Sequence, residues 1–274
     1  MNKQHLKNPV FIISAVIVAF LVIIGAVSPN RFGAVAEQLF LFATTNFGWF
    51  YLISVFIVIL FLIGLAISKF GKIRLGGEKE RPEFPFFTWV GMLFSTGFGS
   101  GLVFWGVAEP MSHFFEPPFR YLESQTEEAA RVAMGYSFFH WGISQWAVFA
   151  LVGLVIAFMQ FSKNDRALIS KAMEPVTGMR KSVTNTIDSL AVIATVMGVA
   201  TSIGLGALQM NGGVSAVSDI LSTVWTQLII IVVVFAAYTV SATTGIEKGI
   251  RFLSNVNLAL CLLLLLFVFF TGPT

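Results

Sequence analysis

Apolar residues fall in seven long runs, separated by short polar stretches in which most of the charges collect. The runs cover residues 9–27, 49–67, 86–113, 132–161, 190–209, 222–240 and 252–270. A helix needs about 20 apolar residues to cross roughly 30 Å of hydrocarbon. In lipid every backbone polar group must be paired internally, so a chain crosses as a helix or as part of a closed barrel. The pattern predicts an all-α integral membrane protein with seven spans. Between the first two runs, Val35, Leu39 and Phe42 recur at roughly helical spacing. That spacing predicts a short helix lying on the membrane surface over residues 31–47.

Composition supports this class. The 274 residues are 56% hydrophobic and 11% charged, against about 25% charged in soluble domains. The charges also predict orientation. With the N-terminus in the cytoplasm, fourteen Lys and Arg fall in inside segments and three (Arg31, Arg120 and Arg131) in outside ones. Basic residues concentrate on the cytoplasmic side of membrane proteins, so seven spans with that orientation are expected, the last residue lying outside. The net charge of +3 thus reports topology and calls for no nucleic-acid partner. Lys3 and Lys7 precede the first run as in a signal peptide, but its apolar core is too long for one and six more runs follow. Cys261 is the single cysteine, which excludes an internal disulfide.

One run is interrupted. Residues 95–113 read STGFGSGLVFWGVAEPMSH, with Gly97, Gly99 and Gly101 at alternate positions. Each glycine costs a helix about 1 kcal/mol relative to alanine. Unwound backbone persists in a membrane only where it faces protein or a wet cavity. A broken helix at a binding site is therefore predicted; close packing of small residues is the alternative, although it suits GxxxG spacing better. The same run carries Glu109 and His113. A carboxylate in a membrane helix marks a functional site by default, or else an interfacial group pairing with Arg120.

The fourth run holds His140, Trp141, Trp146 and Phe149. On a regular helix Trp141, Phe149 and Trp146 stand at about 0°, 80° and 140°, a broad aromatic panel. Aromatic faces attract desolvated quaternary ammonium groups; lipid-facing or packing surface is the alternative. The fifth run carries Thr195, Thr201 and Ser202, which either ligate a small cation or bond back to the preceding turn. Its glycine-rich end, GLGALQMNGG, predicts irregular structure. An enzyme built on Glu109, His113 and His140 would need a nucleophile–base or metal-ligand spacing that these residues lack. No catalytic residue is assigned, and no metal beyond sodium.

The glycine stretch, FHWGISQWAVFALVGLVIAF, DSLAVIATVMG with SIGLGALQ, and TTGIEKGIRFLSNVN together resemble the betaine/carnitine/choline transporter family along essentially the whole chain. That resemblance implies a fold similar to the leucine transporter's, with two inverted five-helix repeats preceded by two extra helices. Residues 1–83 would then be two scaffold spans with their cytoplasmic loop. Residues 84–274, spans three to seven, would be the first repeat, and the second repeat is expected beyond residue 274 or in a companion chain. The implied protein is a secondary carrier in the plasma membrane, for glycine betaine or a related quaternary-ammonium solute, with Na+ as the candidate coupling ion, H+ coupling and exchange being the alternatives, and with a homotrimer as the candidate assembly. The alternative is a truncated or split product without transport activity on its own.

By the same resemblance, Gly97, Gly99, Gly101, Trp141, Trp146 and Phe149 would contact substrate, Phe149 standing where related betaine carriers can have tyrosine. Carbonyls of Ser95 and Phe98 would serve one sodium site and Thr195 another. Val199 replaces the second threonine of that other site, and Ser202 lies about 10 Å further along the axis, too far to substitute. Choline-type members carry aspartate where this chain has Gly101. Bare amides suit a carboxylate, so a zwitterion is expected.

Overall fold

The computed structural model describes residues 8–77, 81–97, 100–165, 168–178, 180–244 and 249–272. Among these residues the chain is helical and contains no strand. Ten α-helices follow one another: α1 (Pro9–Val27), α2 (Pro29–Ile67), α3 (Phe86–Gly97), α4 (Ser100–Phe115), α5 (Glu127–Phe139), α6 (Gln145–Ala157), α7 (Ile169–Thr177), α8 (Lys181–Val217), α9 (Val224–Thr243) and α10 (Arg251–Thr271). Six helical stretches are long and apolar enough to cross a membrane: α1, α2, Glu127–Ser162, α8, α9 and α10.

The helix boundaries follow from local chemistry. Asn8 caps α1, its Oδ1 accepting from the Val10 amide at 3.0 Å, and Pro9 fills the first helical position, where no amide is needed. Pro29 then ends α1 by excluding Ser28 from helical conformation, and itself opens α2. Thr126 caps α5 through the Ala129 amide at 3.1 Å, with Glu127 and Glu128 placed against the positive end of the helix. Gly178, at φ +54°, closes α7 in the left-handed conformation that glycine adopts without steric cost.

Two expectations are corrected. Residues 31–47 form no separate surface helix; they are the first half of the 39-residue α2. The segment contains no proline, and Thr44 and Asn46 bond back to the Phe40 and Phe42 carbonyls, so nothing stops the helix. The glycine-rich end of the fifth run is also regular, because α8 continues through Gly204, Gly206, Gly212 and Gly213 to Val217. Where water cannot replace backbone partners, helical pairing outweighs the low propensity of glycine.

The chain divides into two compact units, Met1–Glu80 with Met134–Gly198, and Arg81–Ala133 with Val199–Thr274. In the first unit α2 packs on α1 and α6, and α6 on α7. A buried polar knot ties its ends together. Ser14 donates to the Val10 carbonyl at 2.7 Å and to the Ser189 carbonyl of α8 at 3.4 Å. Asp188 accepts from the Ser170 amide at 3.2 Å and from its hydroxyl at 2.7 Å, fixing the N-terminus of α7 to α8.

In the second unit α3 lies along α10. A Cβ added to Gly91 would sit 3.3 Å from Asn255 Oδ1 and 3.5 Å from Leu258, so glycine permits this close approach. Asn211 of α8 is almost fully buried and donates to Ser222 at 3.0 Å, tying α8 to the connection before α9. Apart from Leu122, the buried residues among those described are small or polar, including Ala129, Ala133, Ala207, Ser14, Ser189 and Ser254, while large apolar side chains such as Phe20, Leu60 and Phe267 are exposed. That inversion is the signature of helices packed by small residues inside lipid.

Candidate functional site

The interruption expected in the glycine stretch falls at Phe98 and Gly99. Helix α3 ends at Gly97 and α4 begins at Ser100; Phe98 and Gly99 lie outside the described residues. At 1.5 Å per residue, the described parts of the span, α3 and α4, are about 18 Å and about 24 Å long. Gly101 falls in the first turn of α4, and a Cβ built on it meets no heavy atom within 4 Å. The glycine with close neighbours in this span is Gly91, which stood outside both readings of the stretch.

Ser95 sits in the last turns of α3, half-buried against α10. Its hydroxyl donates to the Ser254 carbonyl and accepts from Asn257 Nδ2, both at 3.4 Å. Asn257 in turn accepts from Cys261 at 4.0 Å. The α3–α10 seam is therefore polar: Thr88, Gly91 and Ser95 stand on one side, Ser254 and Asn257 on the other. Sequence reading missed Ser254 and Asn257, although SNVN inside an apolar run was the available signal.

Glu109 is buried on α4 and its Oε1 lies 3.6 Å from His113 Nε2, one turn along the same helix. Position i+4 brings such side chains together, so His113 stands beside this carboxylate. Pro110 is accommodated inside α4.

The aromatic panel belongs to the first unit. Between α5 and α6 the helical run is kinked within His140–Ser144, where Gly142 departs from helical geometry at φ −88°, ψ −135°. Trp146 and Phe149 follow on α6 with ring centroids 5.8 Å apart and planes inclined at 44°. Both rings are exposed, while Trp141 within the kinked stretch is half-buried. His140 meets Tyr136 edge-on at 5.7 Å. The kink was missed in the sequence, where Gly142 was the only sign of it.

Thr195 donates to the Ala191 carbonyl at 2.8 Å, the bond back to the preceding turn that was weighed against cation binding. Val199 is exposed one turn further on. The structure thus places Ser95, Gly97 and Gly101 in one unit and Trp141, Trp146, Phe149 and Thr195 in the other.

Long apolar helices, small buried residues and an outward apolar surface define a multi-pass helical membrane protein. Residues 9–274 match the family described as BCCT, betaine/carnitine/choline family transporter; the chain belongs to that family. It is 61% identical over its whole length to the ectoine/hydroxyectoine transporter of Virgibacillus pantothenticus, covering 55% of that protein. It is 43% identical to the glycine betaine transporter OpuD of Bacillus subtilis, with 99% of this chain and 53% of that protein aligned. The ectoine/glycine betaine/proline transporter EctP of Corynebacterium glutamicum is 37% identical, with 100% of this chain and 45% of that protein aligned. The chain spans about half the length of the curated relatives it matches. Its family is one of transporters, which sets aside the enzymatic reading of Glu109, His113 and His140.

Proposed function

We propose that this chain supplies the scaffold helices (residues 1–83) and first repeat (residues 84–274) of a plasma-membrane secondary carrier for small zwitterionic compatible solutes. The observation that carries this reading is the 61% identity, over the whole chain, to a protein named as an ectoine/hydroxyectoine transporter. Glycine betaine, the solute expected from the sequence, is supported by the relative named for it and by Gly101. The two solutes share a charge-shielded cation and a carboxylate. In this reading Trp141, Trp146 and Phe149 offer π faces to the cation, worth about 0.5–2 kcal/mol per contact when desolvated. The residues around Gly97, Gly99 and Gly101 offer free amides to the carboxylate. Carbonyls of Ser95 and Phe98 take part in a sodium site; Thr195, facing Val199, is a weaker candidate for a second. The homotrimer is part of the same proposal.

The test is uptake of labelled glycine betaine and ectoine by the full-length carrier, in cells stripped of other compatible-solute uptake. Saturable uptake of at least one, inhibited by the other, is expected. Trp141→Leu and Trp146→Leu keep bulk but remove the π face, and each should raise the apparent KM several-fold. Unchanged KM in both would make the panel packing surface, and absence of uptake of either solute would defeat the proposed substrate class.

A further inference from the structure

The connection between the fourth and fifth spans carries a helix with no part in the proposed transport site. Helix α7 has nine residues, ISKAMEPVT. At 100° per residue, Ile169 and Met173 stand about 40° apart, with Glu174 and Lys171 about 140° and 200° from Ile169. Lys171 and Glu174 pair on that far side. The apolar side stays exposed: Leu168, Ile169 and Met173 are 38%, 41% and 40% exposed. Isolated helices shorter than about 12 residues are marginal in water, so α7 needs an anchor.

The anchor also fixes its height. Ser170 is 3% exposed and donates through both its amide and its hydroxyl to Asp188 of α8. Asp188 lies two residues before Leu190, where the apolar run of the fifth span begins, an axial distance of about 3 Å. The first turn of α7 is therefore held level with the edge of the hydrocarbon. On its other side, the membrane-length stretch ends at Ser162, shortly before α7 begins at Ile169. A helix at that height, apolar on one side and charged on the other, has the form of one lying in the membrane interface. Its apolar side chains then meet the boundary of headgroups and acyl chains.

Charge selects the lipid. Residues 163–181 hold five basic residues (Lys163, Arg166, Lys171, Arg180 and Lys181) against two acidic ones, Asp165 and Glu174, a surplus of three. Lys163, Arg180 and Lys181, which flank α7 in the chain, are exposed. Basic segments beside a bilayer are drawn to anionic headgroups. We infer that α7 is a lipid-docking element: it seats Leu168, Ile169 and Met173 at the acyl boundary and gathers anionic phospholipid headgroups with Lys163, Arg180 and Lys181. This surface goes beyond the proposed transport and does not depend on which solute is carried.

Bimane on single cysteines reads the surroundings directly. The full-length carrier, freed of its other cysteines, is placed in nanodiscs of phosphatidylcholine and phosphatidylglycerol, open to water on both faces. Probes at Ile169→Cys and Met173→Cys should be quenched by lipid brominated on its acyl chains, and a probe at Glu174→Cys by iodide. Iodide reaching position 173 as readily as 174 would put the apolar side in water and overturn the inference. Quenching of 169 and 173 by neither reagent would mean that protein covers this face, and would overturn it equally.

The headgroup is read from the same probe. One Lys or Arg near an anionic surface favours the charged lipid about fivefold. Titrating in brominated phosphatidylglycerol or brominated phosphatidylcholine should give association constants at position 173 that differ by about that factor or more. Lys163→Gln/Arg180→Gln/Lys181→Gln removes the surplus of three and should bring the ratio close to unity. Lys163→Arg/Arg180→Lys/Lys181→Arg should keep it. A ratio near unity in the parent, or one that the glutamine variant leaves unchanged, overturns the inference.

Discussion

At the scale of single residues, the buried polar groups say most. Both carboxylate oxygens of Asp188 go to Ser170, and each partner is buried. A buried amide or hydroxyl left without a partner costs about 1–3 kcal/mol. Asp188→Ala should therefore release the N-terminus of α7 and lower the midpoint of thermal unfolding in detergent. It should also raise cleavage in the 163–181 connection under limited proteolysis, with Ser170→Ala milder. An Asp188→Ala protein with unchanged melting and unchanged protection would show the bond to be incidental. Neither residue was singled out in the sequence, because a lone aspartate at the foot of an apolar run looks like an interfacial charge. Its partner lies 18 residues away in a connection whose helix is only nine residues long. Conversely, Thr195 was legible: a threonine inside a helix bonds to the turn before it, and it does.

At the scale of elements, six membrane-length helices were readable because hydrocarbon thickness fixes their length, whereas the interruption expected from three glycines within five residues falls on Phe98 and Gly99, outside the described residues. The fusion of residues 31–47 into α2, the extension of α8 to Val217 and the kink at Gly142 were not readable. Each depends on what the backbone does when no competing partner is at hand, which composition does not record. Helix pairing was equally hidden. Nothing in the third and seventh runs announces that they pack together, yet Gly91 faces Asn255 and Leu258, and Ser95 meets Ser254 and Asn257. Overfilling such a seam costs about 1–3 kcal/mol. Gly91→Leu should consequently lower the melting temperature of the full-length carrier, whereas Gly106→Leu, with open space around it, should not. Equal melting of the two variants would mean that α3 and α10 do not rely on close approach. The Ser95 bonds reach the last turns of α3, so the same seam braces the helix that leads into the glycine stretch.

At the scale of the molecule, α3 and α4 decide the topology. Six long helices flank them in the chain, and the basic residues gather in three connections: Lys69, Lys72 and Arg74 after α2, Lys163, Lys171, Arg180 and Lys181 around α7, and Arg251 at the start of α10. If α3 and α4 together cross once, these connections all lie on one side with the N-terminus. If the pair enters and returns without crossing, the connection after α2 falls opposite the other two, and the positive bias is split between the faces. Such a bias sets orientation in membrane proteins, so a single crossing by α3 and α4 together is expected, with the clusters in the cytoplasm. Single cysteines at exposed positions read this directly. In intact cells expressing the full-length carrier, a membrane-impermeant maleimide should label Glu123→Cys and Asp219→Cys. It should reach Lys72→Cys, Asn164→Cys and Lys181→Cys only after permeabilisation. Labelling of Lys72→Cys from the outside while Asn164→Cys stays protected would make α3 and α4 a re-entrant pair. The substrate face proposed around Gly101 would then open to one side of the membrane only.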